Sequence, residues 1–132
     1  MRRFVYIFFV LLFCSSLSFG QAAKKLTPDE LEKALEKRGG VFFLDVRDPA
    51  EIQKLGSIPG YVNIPLGQLE SRLKEVPKDK PVITACSHGV RAAKAAALLE
   101  KNGFKVLGAC GLEEWKEKGK KVVYPEAEKK KS

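Results

Sequence analysis

Two apolar runs constrain this chain more than any other feature. Val41-Phe42-Phe43-Leu44-Asp45-Val46 carries a single charge, and Val82-Ile83-Thr84-Ala85 carries none. Neither alternates polar with apolar, so each reads as a strand buried on both faces, as in a parallel sheet. Parallel strands need crossovers, and helical patterns lie between them. Thr27-Pro28-Asp29-Glu30 is a helix start with a capping box and a proline at the first helical position. Leu26 and Leu31 staple it, and Gly39-Gly40 is its expected stop. Asp48-Pro49-Ala50-Glu51 repeats the start, and that helix is expected to end at Gly56. A short strand is expected around Tyr61–Asn63, and Leu66, Leu69, Leu73 and Val76 have helical spacing up to the break at Pro77. Ala92–Lys101 reads as an Ala-rich helix that can lie close to a sheet, ended by Asn102-Gly103. Phe104–Leu107 reads as a strand, Gly108–Gly111 as a turn and Leu112–Lys118 as a last helix. Strand and helix alternate without an internal repeat. The expected fold is therefore a single α/β domain with a mostly parallel central sheet and helices on both faces.

The two ends of the chain belong to other categories. Arg2 and Arg3 precede the unbroken apolar run Phe4–Phe13, and Ser18 and Gly20 fit the small-residue rule before a cut. Residues 1–20 thus read as a signal peptide, with cleavage after Gly20, or alternatively after Ala22 or Ala23. The run falls short of the ~20 residues that span a bilayer, so no stable membrane span is expected after cleavage. Lipidation at Cys14 is disfavoured by the bulk of Phe13. Residues 21–25 form a polar lead, 26–125 the domain, and 126–132 a basic tail. Without Arg2 and Arg3 the formal charge falls from +8 to +6. The protein is expected to be periplasmic or otherwise exported, in a compartment that permits disulfides.

Composition removes several chemistries. The chain has one histidine, and Cys86 and Cys110 are the cysteines left after the leader. That is too few for a closed zinc site or a disulfide scaffold, so no metal and no cofactor is expected. The basic surface lacks the interleaved aromatics of a nucleic-acid binder, and none is expected as partner.

In an open parallel sheet, ligands sit beyond the carboxyl ends of the strands. Asp45, Cys86 and the 108–111 turn all fall there. Cys86-Ser87-His88-Gly89-Val90-Arg91 joins a buried strand to a helix. At such a junction, backbone amides lack intrahelical partners and, with the helix dipole, make an anion cradle. Gly89 permits a conformation that a side chain would block. Arg91 brings a fixed, forked positive charge. A thiol in that field is favoured as thiolate, which makes Cys86 the candidate nucleophile; the bland reading is a buried, inert cysteine. Ser87, His88, Gly89, Val90 and Arg91 are the expected substrate-binding residues. Asp45 reads as structural, pairing with Arg47 or accepting loop N–H bonds. Trp115 reads as a core anchor.

The loop Cys-x-x-Gly-x-Arg resembles the active-site loop of rhodanese-type sulfurtransferases. Asp45-Val46-Arg47 with Glu51 is similar to that family's Asp-x-Arg…Glu segment. Residues 56–65, Gly-Ser-Ile-Pro-Gly-Tyr-Val-Asn-Ile-Pro, are similar to another of its segments, with Ser57 where a histidine is usual and Tyr61 where an alanine is usual. Leu107-Gly108 with Trp115 and Gly119 resembles its closing segment. The resemblance covers residues 26–125 and implies sulfur transfer through a Cys86 persulfide. The implied partners are a small anionic donor such as thiosulfate and a cyanide or thiol acceptor. Cysteine phosphatases place five residues between cysteine and arginine; this loop has four. The tighter loop suits a sulfane sulfur better than a phosphate. Cys110 stands where the family tends to pair glycines. It reads either as a small turn residue or as a second thiol that resolves the persulfide or bonds to Cys86. The alternative function is a non-catalytic module that binds a partner, such as a redox or acceptor protein, or senses redox state through Cys86 and Cys110.

Overall fold

The computed structural model describes residues 22–37 and 40–125. The leader read over 1–20 and the tail 126–132 lie outside them. The elements are α1 (Pro28–Glu36), β1 (Phe42–Asp45), α2 (Pro49–Leu55), β2 (Val62–Asn63), α3 (Leu66–Leu69), β3 (Val82–Cys86), α4 (Val90–Lys101), β4 (Val106–Gly111) and α5 (Leu112–Glu117). The strands form one sheet in the order β2-β1-β3-β4, with every pairing parallel. Both capping boxes form. Thr27 and Glu30 exchange bonds at the start of α1, and Asp48 and Glu51 do so at the start of α2. Gly56 ends α2 at φ 74°, in the left-handed region that favours glycine.

Alternation along the strands divides the core in two. Leu44, Val82, Cys86 and Ala109 face α4, which contributes Ala92, Ala95 and Leu99, and α3, which contributes Leu69. Phe43, Ile83, Ala85 and Cys110 face the other way, toward Leu31 of α1 and Leu112 and Trp115 of α5. The small residues of α4 let it lie close over β3, where Thr84 Oγ1 donates to the Ala92 carbonyl at 2.7 Å. Each fully buried Leu or Ile contributes about 1.5–3 kcal/mol.

Two expectations are corrected. The helix expected across 66–76 is α3 followed by a 3-10 helix, Glu70–Glu75, with Arg72 off helical geometry. Leu66, Leu69, Leu73 and Val76 nevertheless all reach the core. The turn expected at 108–111 is strand. β4 runs through it, paired to β3 on one side. On its other side Ala109 bridges to Lys25, exchanging bonds with Lys24 and Leu26 at 2.8 Å each. The reason is close approach: a Cβ on Gly108 would lie 2.6 Å from the Lys24 carbonyl oxygen and 2.7 Å from Leu26 Cγ. Glycine is there to admit a neighbouring chain, not to make a turn.

Candidate active site

β3 ends at Cys86 and α4 begins at Val90, so the loop between them is only Ser87-His88-Gly89. Gly89 is the N-cap at φ 94°, with open space where a Cβ would sit. Its requirement is therefore conformational rather than steric. This turn brings backbone donors onto sulfur. The Gly89 and Ala92 amides donate to Cys86 Sγ at 3.1 and 3.3 Å. They come from the N-cap and the first turn of α4, where amides lack intrahelical partners. Donors converging from a helix N-terminus suit an anionic sulfur. Cys86 itself is buried, at 2% exposure.

The loop is braced from the next strand–helix junction. The Ser87 carbonyl accepts the Glu113 amide of α5 at 3.1 Å. Beneath it lies Gly111, the last residue of β4. A Cβ there would meet Ser87 O at 3.0 Å and His88 Cα at 3.3 Å. Glu113 and Gly111 thus support the site; Gly111 was expected at this edge only as part of the 108–111 turn, and Glu113 was not expected.

Arg91 gives its side-chain hydrogen bonds to an acid rather than to the sulfur. Its Nη1 and Nη2 donate to the two carboxylate oxygens of Glu51 at 2.7 and 2.8 Å. This bidentate pair holds the Glu51 carboxyl down to about 2, against an ordinary 4.5, and raises Arg91 further. The forked charge expected to stabilise sulfur is thus matched by an acid, and the donors on Sγ are backbone amides. Glu51 also accepts the Asp48 amide at 3.0 Å, so one carboxylate caps α2 and orients Arg91. The sequence signals for Glu51 were the capping pattern Asp48-Pro49-Ala50-Glu51 and the family-like motif; neither shows that it pairs with Arg91.

Asp45 and Arg47 form a buried ion pair at 2.7 Å, both side chains at 0% exposure. Asp45 pairs with Arg47 and also accepts the Arg47 backbone amide at 3.1 Å, in the loop that follows β1, rather than amides of the Cys86 loop. Ser57 Oγ donates to Asp45 Oδ2 at 2.7 Å, and Arg47 Nη2 donates to the Gly56 carbonyl at 2.8 Å. Ser57 therefore joins the carboxylate directly. Asn63 Nδ2 donates to the carbonyls of Asp45 and Arg47, tying β2 to the end of β1. The cluster locks a strand end and touches no reacting atom.

His88 is exposed on the loop, Ser87 is half-buried and Val90 is exposed. Cys110 is close in register but wrongly directed for the second-thiol reading. It pairs with Ala85, and Cys86 pairs with Gly111. Neighbours paired across a sheet share a face and successive residues alternate, so Cys86 and Cys110 point to opposite faces. Both thiols are free. Burial first, then the nearby charges of Asp45 and Cys86, pushes the Cys110 thiol up to about 12. It lies 3.5 Å from the Thr84 carbonyl oxygen. A disulfide between the two would require the sheet to open.

Comparison with known proteins gives a consistent picture. The rhodanese-like domain family matches residues 27–118. A sulfurtransferase of Allochromatium vinosum is 33% identical over 104 residues, spanning 77% of this chain and 96% of that protein. A thiosulfate sulfurtransferase of Pseudomonas syringae pv. syringae is also 33% identical over 104 residues, 77% of this chain and 92% of its own length. The crystal structure of a rhodanese-related protein from Thermoplasma volcanium superposes with a TM-score of 0.68 at 30% identity. It covers 76% of this chain and 97% of that one.

Proposed function

The chain belongs to the rhodanese-like domain family and has a sulfur-transfer role; from that premise we propose that it is an exported sulfurtransferase working through a persulfide on Cys86. The observation that carries this reading is the pair of amides, Gly89 and Ala92, donating to Sγ. In the first half-reaction the Cys86 thiolate attacks the outer sulfur of thiosulfate. A new S–S bond forms to Sγ, the S–S bond of thiosulfate breaks, and sulfite leaves with the electron pair. In the second, a nucleophilic acceptor (cyanide or a thiol) attacks the outer sulfur of the persulfide and Sγ leaves as thiolate. The same amides face the sulfur that carries charge at the start of the first step and the end of the second. Such a cycle is covalent and ping-pong.

Thiosulfate as donor is supported by the name of the Pseudomonas syringae relative. The module reading with two cooperating thiols is disfavoured, because Cys86 and Cys110 lie on opposite faces. Export is supported by the Arg2-Arg3 and Phe4–Phe13 pattern. Steady-state thiosulfate-to-cyanide transfer tests the activity: parallel double-reciprocal lines, abolished in Cys86→Ser, are expected. Intersecting lines, or turnover retained in that variant, would contradict it. Fractionation of expressing cells tests the location. A product shortened by about 20 residues outside the cytoplasm is expected, and full-length chain inside it would count against export.

A further inference from the structure

Among the described residues, Thr84 is the one buried polar residue outside the cluster of Asp45, Arg47 and Ser57. It lies in β3, where every residue from Val82 to Cys86 is buried, and it is 0% exposed. A valine there would have the same branched shape and no hydroxyl in need of a partner. The hydroxyl instead makes a specific contact. Residues two apart on a strand share a face, so Thr84 and Cys86 both face α4. Thr84 Oγ1 donates to the Ala92 carbonyl oxygen at 2.7 Å. The amide of that same residue donates to Cys86 Sγ at 3.3 Å. Strand, hydroxyl, helix turn and sulfur thus form one closed ring of covalent and hydrogen bonds, in which the hydroxyl sets how near Ala92 stands to β3. The other amide on sulfur, that of Gly89, is placed by the tight turn of the loop itself. Arg91 ties the same helix turn to α2, not to β3.

We propose that Thr84 is a positioning residue for sulfur transfer, its hydroxyl holding the Ala92 amide against Cys86 Sγ. The inference rests on the persulfide reading above and adds a residue that acts on the sulfur only through Ala92. Its effect falls on the steps in which Sγ carries charge. In discharge to cyanide, the cyanide carbon attacks the outer sulfur of Cys86–S–SH. A C–S bond forms, the S–S bond breaks, and its electron pair stays on Sγ. Thiocyanate departs, and the proton of the outer sulfur passes to solvent. The negative charge that develops on Sγ is the charge the Ala92 amide meets. A donor aimed in advance at such a charge lowers the barrier, and one held too far away loses part of that gain.

Three substitutions separate the hydroxyl from packing. Thr84→Val keeps the branched shape and loses the hydroxyl, Thr84→Ser keeps the hydroxyl and loses the methyl group, and Thr84→Ala loses both. Each purified protein is loaded with thiosulfate, freed of excess donor and mixed with cyanide. Loss of the carried sulfur is followed by mass spectrometry, and thermal melting is measured alongside. Misplacement by about 1 Å can cost a hundredfold. The smaller displacement here should slow discharge about fivefold in Thr84→Val and Thr84→Ala, and Thr84→Ser should stay within about twofold of wild type. Stability should sort differently, with Thr84→Ser and Thr84→Ala the lower because each leaves a cavity. A hydroxyl with only a structural role predicts rates that follow Tm, or equal rates in all four proteins. Either result, or slow discharge in Thr84→Ser, overturns the assignment. Should Thr84→Val not fold, the comparison of Thr84→Ser with Thr84→Ala decides alone. Failure of the wild-type protein to take up a sulfur that cyanide removes overturns the persulfide reading, and this inference with it.

Discussion

Replacing Gly111 with alanine tests whether the loop is held from β4. Gly111 has φ −114°, open to any residue, so alanine brings no backbone strain. What it brings is a methyl group 3.0 Å from Ser87 O, 3.2 Å from His88 C and 3.3 Å from His88 Cα. All three are backbone atoms, so no side chain can swing aside. The loop must lift by a few tenths of an ångström, or β4 must shift against β3. Overpacking of this kind costs about 1–3 kcal/mol. For a domain of this size, each kcal/mol lowers Tm by about 4–8 °C, so a cost of about 2 kcal/mol, the middle of that range, lowers Tm by roughly 8–16 °C. Lifting the loop also pulls the Gly89 amide from Sγ. Misplacement by about 1 Å can cost a hundredfold, and the smaller shift here should slow persulfide formation about tenfold. Thermal melting and single-turnover loading with thiosulfate read the two effects. Gly108→Ala is the control, because its methyl meets Lys24 and Leu26 and not the loop. It should destabilise comparably while loading sulfur at nearly the wild-type rate. Wild-type Tm and wild-type loading in Gly111→Ala would refute the bracing argument.

Other outcomes follow from the same contacts. Asp45→Ala leaves Arg47 charged and buried, and should cost about 3–5 kcal/mol in urea unfolding; Ser57→Ala, losing a hydroxyl bond to that carboxylate, should cost about 1.5–3 kcal/mol. The Glu51 carboxyl is lowered from 4.5 to about 2, so its contribution to stability is complete above 4.5 and fades as pH falls toward 2. The difference between wild type and Glu51→Gln in urea midpoints should therefore be present at neutral pH and vanish at the acid end; a difference that grows on acidification would reverse the assignment. Cys110→Ala should keep sulfur transfer within about twofold, and nonreducing peptide mapping after diamide should find no bond between 86 and 110, given the opposed faces.

The parts of the fold legible in the sequence are those specified locally. The runs at 41–46 and 82–85 could hardly be anything but buried strands, and both capping boxes close over three residues. Cys86, Gly89 and the α4 helix were readable for the same reason, although α4 starts at Val90, two residues before the expected Ala92. What escaped depends on distant chain. Gly108-Ala109-Cys110-Gly111 looks like a turn by composition, yet its small residues serve the crossing of Lys24–Leu26 and the loop at Ser87–His88. The Glu51–Arg91 pair joins residues 40 apart, a separation at which no helical or strand period operates. The direction of Cys110 depended on the register of β4 against β3, which a residue misread as turn cannot reveal.

The central claim is that sulfur is carried covalently on Cys86. Intact-protein mass spectrometry after brief thiosulfate treatment measures this most directly. A gain of roughly 32 Da, mapped to the peptide containing Cys86, removed by cyanide and absent from Cys86→Ser, is the predicted result. The same gain in Cys86→Ser, or its location on Cys110, would contradict the account.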